Sequence, residues 1–131
     1  MNYKLEHIGI AVRDLEVSIK TYETLLSTNC YKREIVESEG VITAFFQTEH
    51  TKIELLEATN EKSPIHKFIQ KKGEGIHHMA FEVEDIKNEM SRLKKEGYRL
   101  LNNEPKHGAD DKLVCFIHPK DSHGVLIELC Q

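Results

Sequence analysis

His7-Ile8-Gly9-Ile10-Ala11-Val12-Arg13-Asp14-Leu15 and His78-Met79-Ala80-Phe81-Glu82-Val83-Glu84-Asp85-Ile86 are two versions of one segment, set 71 positions apart. Internal repetition of this kind decides the architecture before any other feature is weighed. In each copy apolar residues alternate, Ile8, Ile10 and Val12 in the first and Met79, Phe81 and Val83 in the second, which is the period of a strand with one buried face. His7 and His78 fall on the other face.

An aspartate in N-cap position follows each strand, Asp14 or Asp85. Behind it comes a helical pattern of Leu15, Ile19 and Tyr22, or of Ile86, Met90 and Leu93, again 71 apart. Gly97 is a stop signal for the second helix. A short strand is expected after each helix, around Tyr31 to Val36 and around Tyr98 to Leu101. Two further strands complete each unit: Val41 to Gln47 with Thr51 to Glu57, then Leu113 to His118 with Gly124 to Leu129. Phe45 and Phe116 keep the offset of 71, whereas Ile53-Glu54-Leu55 matches Ile127-Glu128-Leu129 at 74, so the second hairpin is longer by three.

The fold class expected is therefore α+β, two βαβββ modules over about 3–59 and 75–131. Ser63-Pro64 opens a linker helix over about 63–71, and Gly73 and Gly75 release the chain into the second module. Neither half alone is large enough for an independent core, so 1–131 is expected to form one domain. The chain has 131 residues, 39% hydrophobic and 31% charged, the balance of an ordinary soluble protein. Its formal net charge of -4 gives no basic groove for nucleic acid. The start, MNYKLEHIGIAV, has neither a signal peptide's apolar run nor a membrane span, and the expected location is the cytoplasm. Cys30, Cys115 and Cys130 are odd in number and widely spaced, as reduced, buried thiols are.

Each module supplies one histidine at the start of its first strand and one glutamate in its last strand, both on the face opposite the apolar set. Glu54 lies between Ile53 and Leu55, and Glu128 between Ile127 and Leu129, so each carboxylate is centred in an apolar strand. Any one of the four is as readily a hydrogen-bonded polar residue on a sheet face. Their duplication favours a shared role, because two imidazoles and two carboxylates neutralise a divalent cation and leave coordination positions open for chemistry. Nitrogen and oxygen donors without thiolate suit divalent Co, Ni, Zn, Mn or Fe. Such an ion polarises a substrate carbonyl while a nearby carboxylate moves a proton.

At these residues the chain resembles the vicinal oxygen chelate superfamily, the glyoxalase and bleomycin-resistance fold, over essentially its whole length. Within it the sequence is most similar to methylmalonyl-CoA epimerases. That likeness rests on Leu5-Glu-His7-Ile-Gly-Ile-Ala-Val, Thr51-Lys-Ile-Glu54-Leu-Leu-Glu, Ser63-Pro-Ile, Lys72-Gly-Glu-Gly-Ile-His-His78-Met-Ala-Phe-Glu-Val, His118-Pro-Lys-Asp and Gly124-Val-Leu-Ile-Glu128-Leu. The resemblance implies a metal held by His7, Glu54, His78 and Glu128, with His77 outside the ligand set. It implies removal of a thioester α-proton on one face and its return on the other through a metal-stabilised enolate, with Glu128 as one acid-base group. Thr43 stands near the place where some epimerases carry a second acid, and Gly108-Ala-Asp-Asp-Lys112 is more acidic than their glycine-rich segment.

The expected partner is a small acyl-CoA or a glutathione adduct, the latter if the chain is a lactoylglutathione lyase, whose bacterial members resemble the same ligand set. A drug-sequestering module of the bleomycin-resistance type shares the fold but generally lacks the ligands. A homodimer is the assembly that the resemblance implies. His118 and Lys120 read as a turn between strands, with Lys120 a candidate to meet a substrate carboxylate or phosphate. His50, His66, His107 and His123, with the Lys71-Lys72 and Lys94-Lys95 pairs, read as solvated positions.

Overall fold

The computed structural model of the chain describes residues 3–131. It forms two compact units, His7–His77 and His78–Gln131, the latter including the described residues through Glu6. In the first run β1 (Lys4–Ala11), α1 (Leu15–Leu26), β2 (Lys32–Val36), β3 (Val41–Gln47), β4 (Lys52–Ala58) and α2 (Pro64–Lys72). In the second run β5 (Gly75–Glu82), α3 (Ile86–Lys95), β6 (Lys106–His107), β7 (Leu113–Ile117) and β8 (Ile127–Cys130). The strand orders are β2-β3-β4-β1 and β5-β8-β7-β6, so both units build the same βαβββ pattern.

Both helices start where the repeat places them. Asp14 accepts a hydrogen bond from the Val17 amide and Asp85 from the Asn88 amide, each satisfying a donor that the first helical turn leaves without an intrahelical partner. Ser63 caps α2 in the same way, its hydroxyl accepting from the Ile65 amide, with Pro64 in the first turn. The α1 face carrying Leu15 and Ile19 packs on Val12, Ala44, Phe46 and Leu55. The α3 face carrying Ile86, Met90 and Leu93 packs on Val83, Cys115, Ile117 and Leu129. Fully burying one such side chain contributes about 1.5–3 kcal/mol. A slip of one residue in β4 or β8 would turn Leu55 or Leu129 out of its core, so this packing fixes which way Glu54 and Glu128 face.

Register carries the same message. β1 runs parallel to β4 with Gly9 opposite Glu54, and β5 runs parallel to β8 with Ala80 opposite Glu128. In the antiparallel hairpins Phe45 lies opposite Glu54 and Phe116 opposite Glu128.

The strand expected around Tyr98 to Leu101 is absent. Only a single bridge joins Leu100 to Ile117, and the edge strand is instead the two-residue β6. Side chains take the ladder's place there. The Arg99 amide donates to Asp121, and the Asn102 side chain donates to the Val114 carbonyl while accepting from the Phe116 amide. The segment from Gly124 also begins its strand late, at Ile127, because His123 and Gly124 take positive φ angles of 58° and 90° as they leave a 3-10 turn over Pro119–Ser122.

That turn is clamped. Asp121 accepts from the Arg99 amide and from two guanidinium nitrogens, the closest at 2.7 Å, and the Arg99 guanidinium holds the Asp121 carboxyl down at about 2 against an ordinary 3.8. The unfolded chain takes up this proton near 3.8 and the folded chain only near 2. The clamp is therefore fully stabilising above 3.8 and fades as pH falls toward 2. Thermal melts should show Asp121→Asn less stable than the parent at neutral pH, with the gap closing at pH 2; a gap independent of pH would contradict this.

Cys115 and Cys130 are fully buried while Cys30 is half-buried. Burial pushes the Cys115 thiol up to about 11 and the Cys130 thiol up to about 12. At pH 8 iodoacetamide should label Cys30 in the native protein, and Cys115 and Cys130 only after unfolding. Rapid native labelling of all three thiols would contradict the packing.

Candidate metal centre

Each unit holds one buried histidine–glutamate pair. In the first, His7 Nε2 lies 3.5 Å from Glu54 Oε1, with the residues 7% and 3% exposed. In the second, His78 Nε2 lies 3.5 Å from Glu128 Oε1, with the residues 4% and 6% exposed. The near-identity follows from the repeat, since each histidine sits on a unit's first strand and each glutamate on the parallel strand beside it.

The spacing discriminates between two explanations. A charge-assisted hydrogen bond between imidazole and carboxylate closes to about 2.7–2.9 Å. Two donors that share one ion at about 2.0–2.2 Å from each stand roughly 3–3.5 Å apart. Both pairs have the second separation. The donor set and its spacing fit a divalent ion.

All four sequence candidates are thus buried, and the structure brings His7 together with Glu54 and His78 together with Glu128. His77 is on the other face of β5. Its ring meets the edge of Phe68 on α2, 5.0 Å between centroids, and burial with the nearby Lys72 charge lowers it to about 4, so it is neutral at pH 7. His118 behaves as the turn residue expected, its Nδ1 accepting from the Lys120 amide, and Lys120 is exposed. Thr43 is fully buried, its hydroxyl donating to the Glu34 carbonyl.

Several neighbours of the pairs are not read from the sequence. Phe116 lies edge-on to the His78 ring at 6.1 Å between centroids, and Lys106 Nζ stands 5.4 Å from the Phe116 centroid. In the other unit Lys32 Nζ stands 5.8 Å from the Phe45 centroid. The signal for the rings is present in the constant offset of Phe45 and Phe116; none marks the lysines, which look like ordinary charged residues. Away from the pairs, Glu89 on α3 is fully buried and accepts from Tyr3 and, at 2.8 Å, from Arg92, which holds its carboxyl below the usual range. This cluster ties Tyr3 to α3. Its signal is spacing, since Glu89 follows Ile86 by three on the apolar face.

The duplicated βαβββ pattern with buried donors on matching strands defines a class. The chain belongs to the glyoxalase/bleomycin resistance protein/dioxygenase superfamily, whose family model matches residues 6–116. Within that class it is similar to an ethylmalonyl-CoA/methylmalonyl-CoA epimerase of Cereibacter sphaeroides, 44% identical over 98% of this chain and 97% of the relative. It is also similar to the crystal structure of methylmalonyl-CoA epimerase from Mycobacterium tuberculosis, TM-score 0.93 and 37% identity over 97% of this chain and 86% of that one. A variant of Streptomyces coelicolor methylmalonyl-CoA epimerase in complex with 2-nitronate-propionyl-CoA matches with TM-score 0.90 and 34% identity over 97% of this chain and 95% of that one.

Proposed function

We propose that the chain is a metal-dependent epimerase of a 2-carboxyacyl-CoA thioester, methylmalonyl-CoA being the substrate to test first, and that His7, Glu54, His78 and Glu128 together hold its one divalent ion. The observation that carries this reading is the pair of buried His–Glu couples at matching strand positions, in a chain whose near full-length relatives bear the epimerase name. His7, Glu54 and His78 each offer a buried nitrogen or carboxylate oxygen, the hard-to-borderline donors that suit Co, Ni, Zn, Mn or Fe. When bound, the ion supplies polarisation of the thioester carbonyl and so acidifies the neighbouring C–H.

The residues do the rest. Glu128, opposite Phe116 on the neighbouring strand, accepts the α-proton on one face of the acyl group or delivers it there. Flanking by Ile127 and Leu129 holds its strand in place, and the small side chain of Ala80 stands opposite it. Thr43, a hydroxyl already committed to the Glu34 carbonyl, is not a general base, so Glu128 is the carboxylate to which this reading assigns proton transfer. The two units act as one domain, as a homodimer and in the cytoplasm; no helix among the described residues is long and apolar enough to cross a membrane.

Incubation of the metal-loaded protein with methylmalonyl-CoA in deuterium oxide tests the reading. The α-proton should exchange at enzymatic rates, and the hemithioacetal of methylglyoxal and glutathione should not be consumed. Consumption of the hemithioacetal without α-proton exchange would replace the epimerase by a lactoylglutathione lyase, and activity on neither would remove both.

A further inference from the structure

Inverting a carbon centre takes a proton-transfer group on each of its two faces, and Glu128 accounts for one. In the unit His7–His77 the strand register supplies a further carboxylate. Glu34 on β2 lies opposite Thr43 on β3, and Thr43 is two residues before Phe45, which lies opposite Glu54 on β4. Residues directly opposite, and residues two apart on one strand, share a face of the sheet. Glu34 therefore stands on the face of Glu54, two strands away and one row along. At about 4.8 Å between strands and about 3.4 Å per residue, the two backbone positions are about 12 Å apart, a span that two glutamate side chains narrow to the width of a small acyl group.

The side chain of Glu34 also leans the right way. Lys32 is opposite Phe45, in the same row as Glu54, and its Nζ lies 5.8 Å from the Phe45 centroid and 3.4 Å from Glu34 Oε1. The carboxylate is thus drawn from the row of Thr43 toward the row of Glu54. A carboxylate has about four lone-pair directions, so contact with an ammonium leaves it able to accept a proton. Its side chain is 29% exposed, which lets it exchange that proton with water. Thr43, whose hydroxyl donates to the Glu34 carbonyl, fixes β2 against β3 at this row and carries no carboxylate of its own. Nor does the repeat demand an acid here: Val114 matches Thr43 at the offset of 71, and the residue opposite Val114 is Lys106.

We propose that Glu34 is the second proton-transfer residue, serving the face of the substrate α-carbon opposite to Glu128. The inference rests on the epimerase reading above and deepens it. In one direction the Glu34 carboxylate takes the α-proton, and the electron pair of the broken C–H bond passes into the enolate. Glu128, entering protonated, then gives its proton to the other face as the new C–H bond forms. Glu34 leaves protonated and Glu128 ionised, so exchange with water or turnover of the opposite epimer resets the pair.

The test uses the full metal-loaded chain, its Glu34→Gln and Glu34→Asp variants, and Glu37→Gln as a control at an exposed position of the following turn. A single epimer of methylmalonyl-CoA is incubated in deuterium oxide, and deuterium uptake at the α-carbon is measured separately from inversion. In Glu34→Gln inversion should fall by more than about tenfold, toward the 10²-fold that one positioned acid-base group supplies. Deuterium uptake with retention should persist for the epimer whose α-proton faces Glu128, a split that general damage to the fold does not produce. Glu34→Asp should show the same split more weakly, and Glu37→Gln should match the parent. Inversion within about tenfold of the parent in Glu34→Gln, or equal losses of inversion and exchange for both epimers, would overturn the role given to Glu34 while leaving the epimerase reading intact. Failure of the parent protein itself to exchange the α-proton would overturn both.

Discussion

Glutamine in place of Glu128 should leave the protein folded and lower its turnover by about 10²–10⁴, the range associated with loss of a positioned general acid-base group. Glutamine has nearly the same shape, and Ile127 and Leu129 keep their places in β8, one beside and one within the α3-side core. Glu128 is 6% exposed and 3.5 Å from His78 Nε2, so the substitution removes both the carboxylate facing the imidazole and the group proposed to carry the proton. Two readouts separate these losses. Metal content should fall along with activity if Glu128 is a ligand, and kcat should remain low even at saturating metal if it also moves the proton. Turnover within tenfold of the parent would contradict both roles.

Chelation should have the larger effect on stability. Four buried donors face one another in pairs, and if they hold an ion as proposed, its binding free energy adds to the stability of the folded state. An ion present at a thousand times its dissociation constant stabilises the native state by about 4 kcal/mol. Extended dialysis against a chelator should therefore abolish α-proton exchange and lower the melting temperature by many degrees. Adding back Co, Ni, Zn, Mn or Fe one at a time should restore both, with the strongest restoration naming the preferred ion. Full activity in protein shown by elemental analysis to be metal-free would contradict the proposal.

The sequence makes the frame legible because the repeat is written twice in independent residues. Alternation in Ile8, Ile10 and Val12 and in Met79, Phe81 and Val83 fixes which face each histidine takes, and burial of Leu55 and Leu129 confirms the face of each glutamate. The caps at Asp14, Asp85 and Ser63 are equally plain, since a short acceptor before an apolar period has few other uses. The His–Glu couples are legible from the same registers.

What escapes the sequence is settled by side chains that compete with the backbone or act across strands. Asn102 and Asp121 capture the amides and carbonyls that a strand over Tyr98 to Leu101 would have used. Their effect depends on Val114 and Arg99, which are distant in the chain. The stacking of Lys32 on Phe45 and of Lys106 on Phe116 depends on cross-strand register, and no periodicity announces it. Glu89 deceives in the opposite sense, a charged residue on a helix that is nonetheless fully buried because Tyr3 and Arg92 bond its carboxylate.

The most direct measurement is anomalous scattering from crystals grown with a single divalent metal, alongside elemental analysis of the same protein. One strong peak per chain is expected, within bonding distance of His7, Glu54, His78 and Glu128. Absence of a peak under saturating metal, or an ion gripped by one His–Glu pair while the other stands apart, would contradict it.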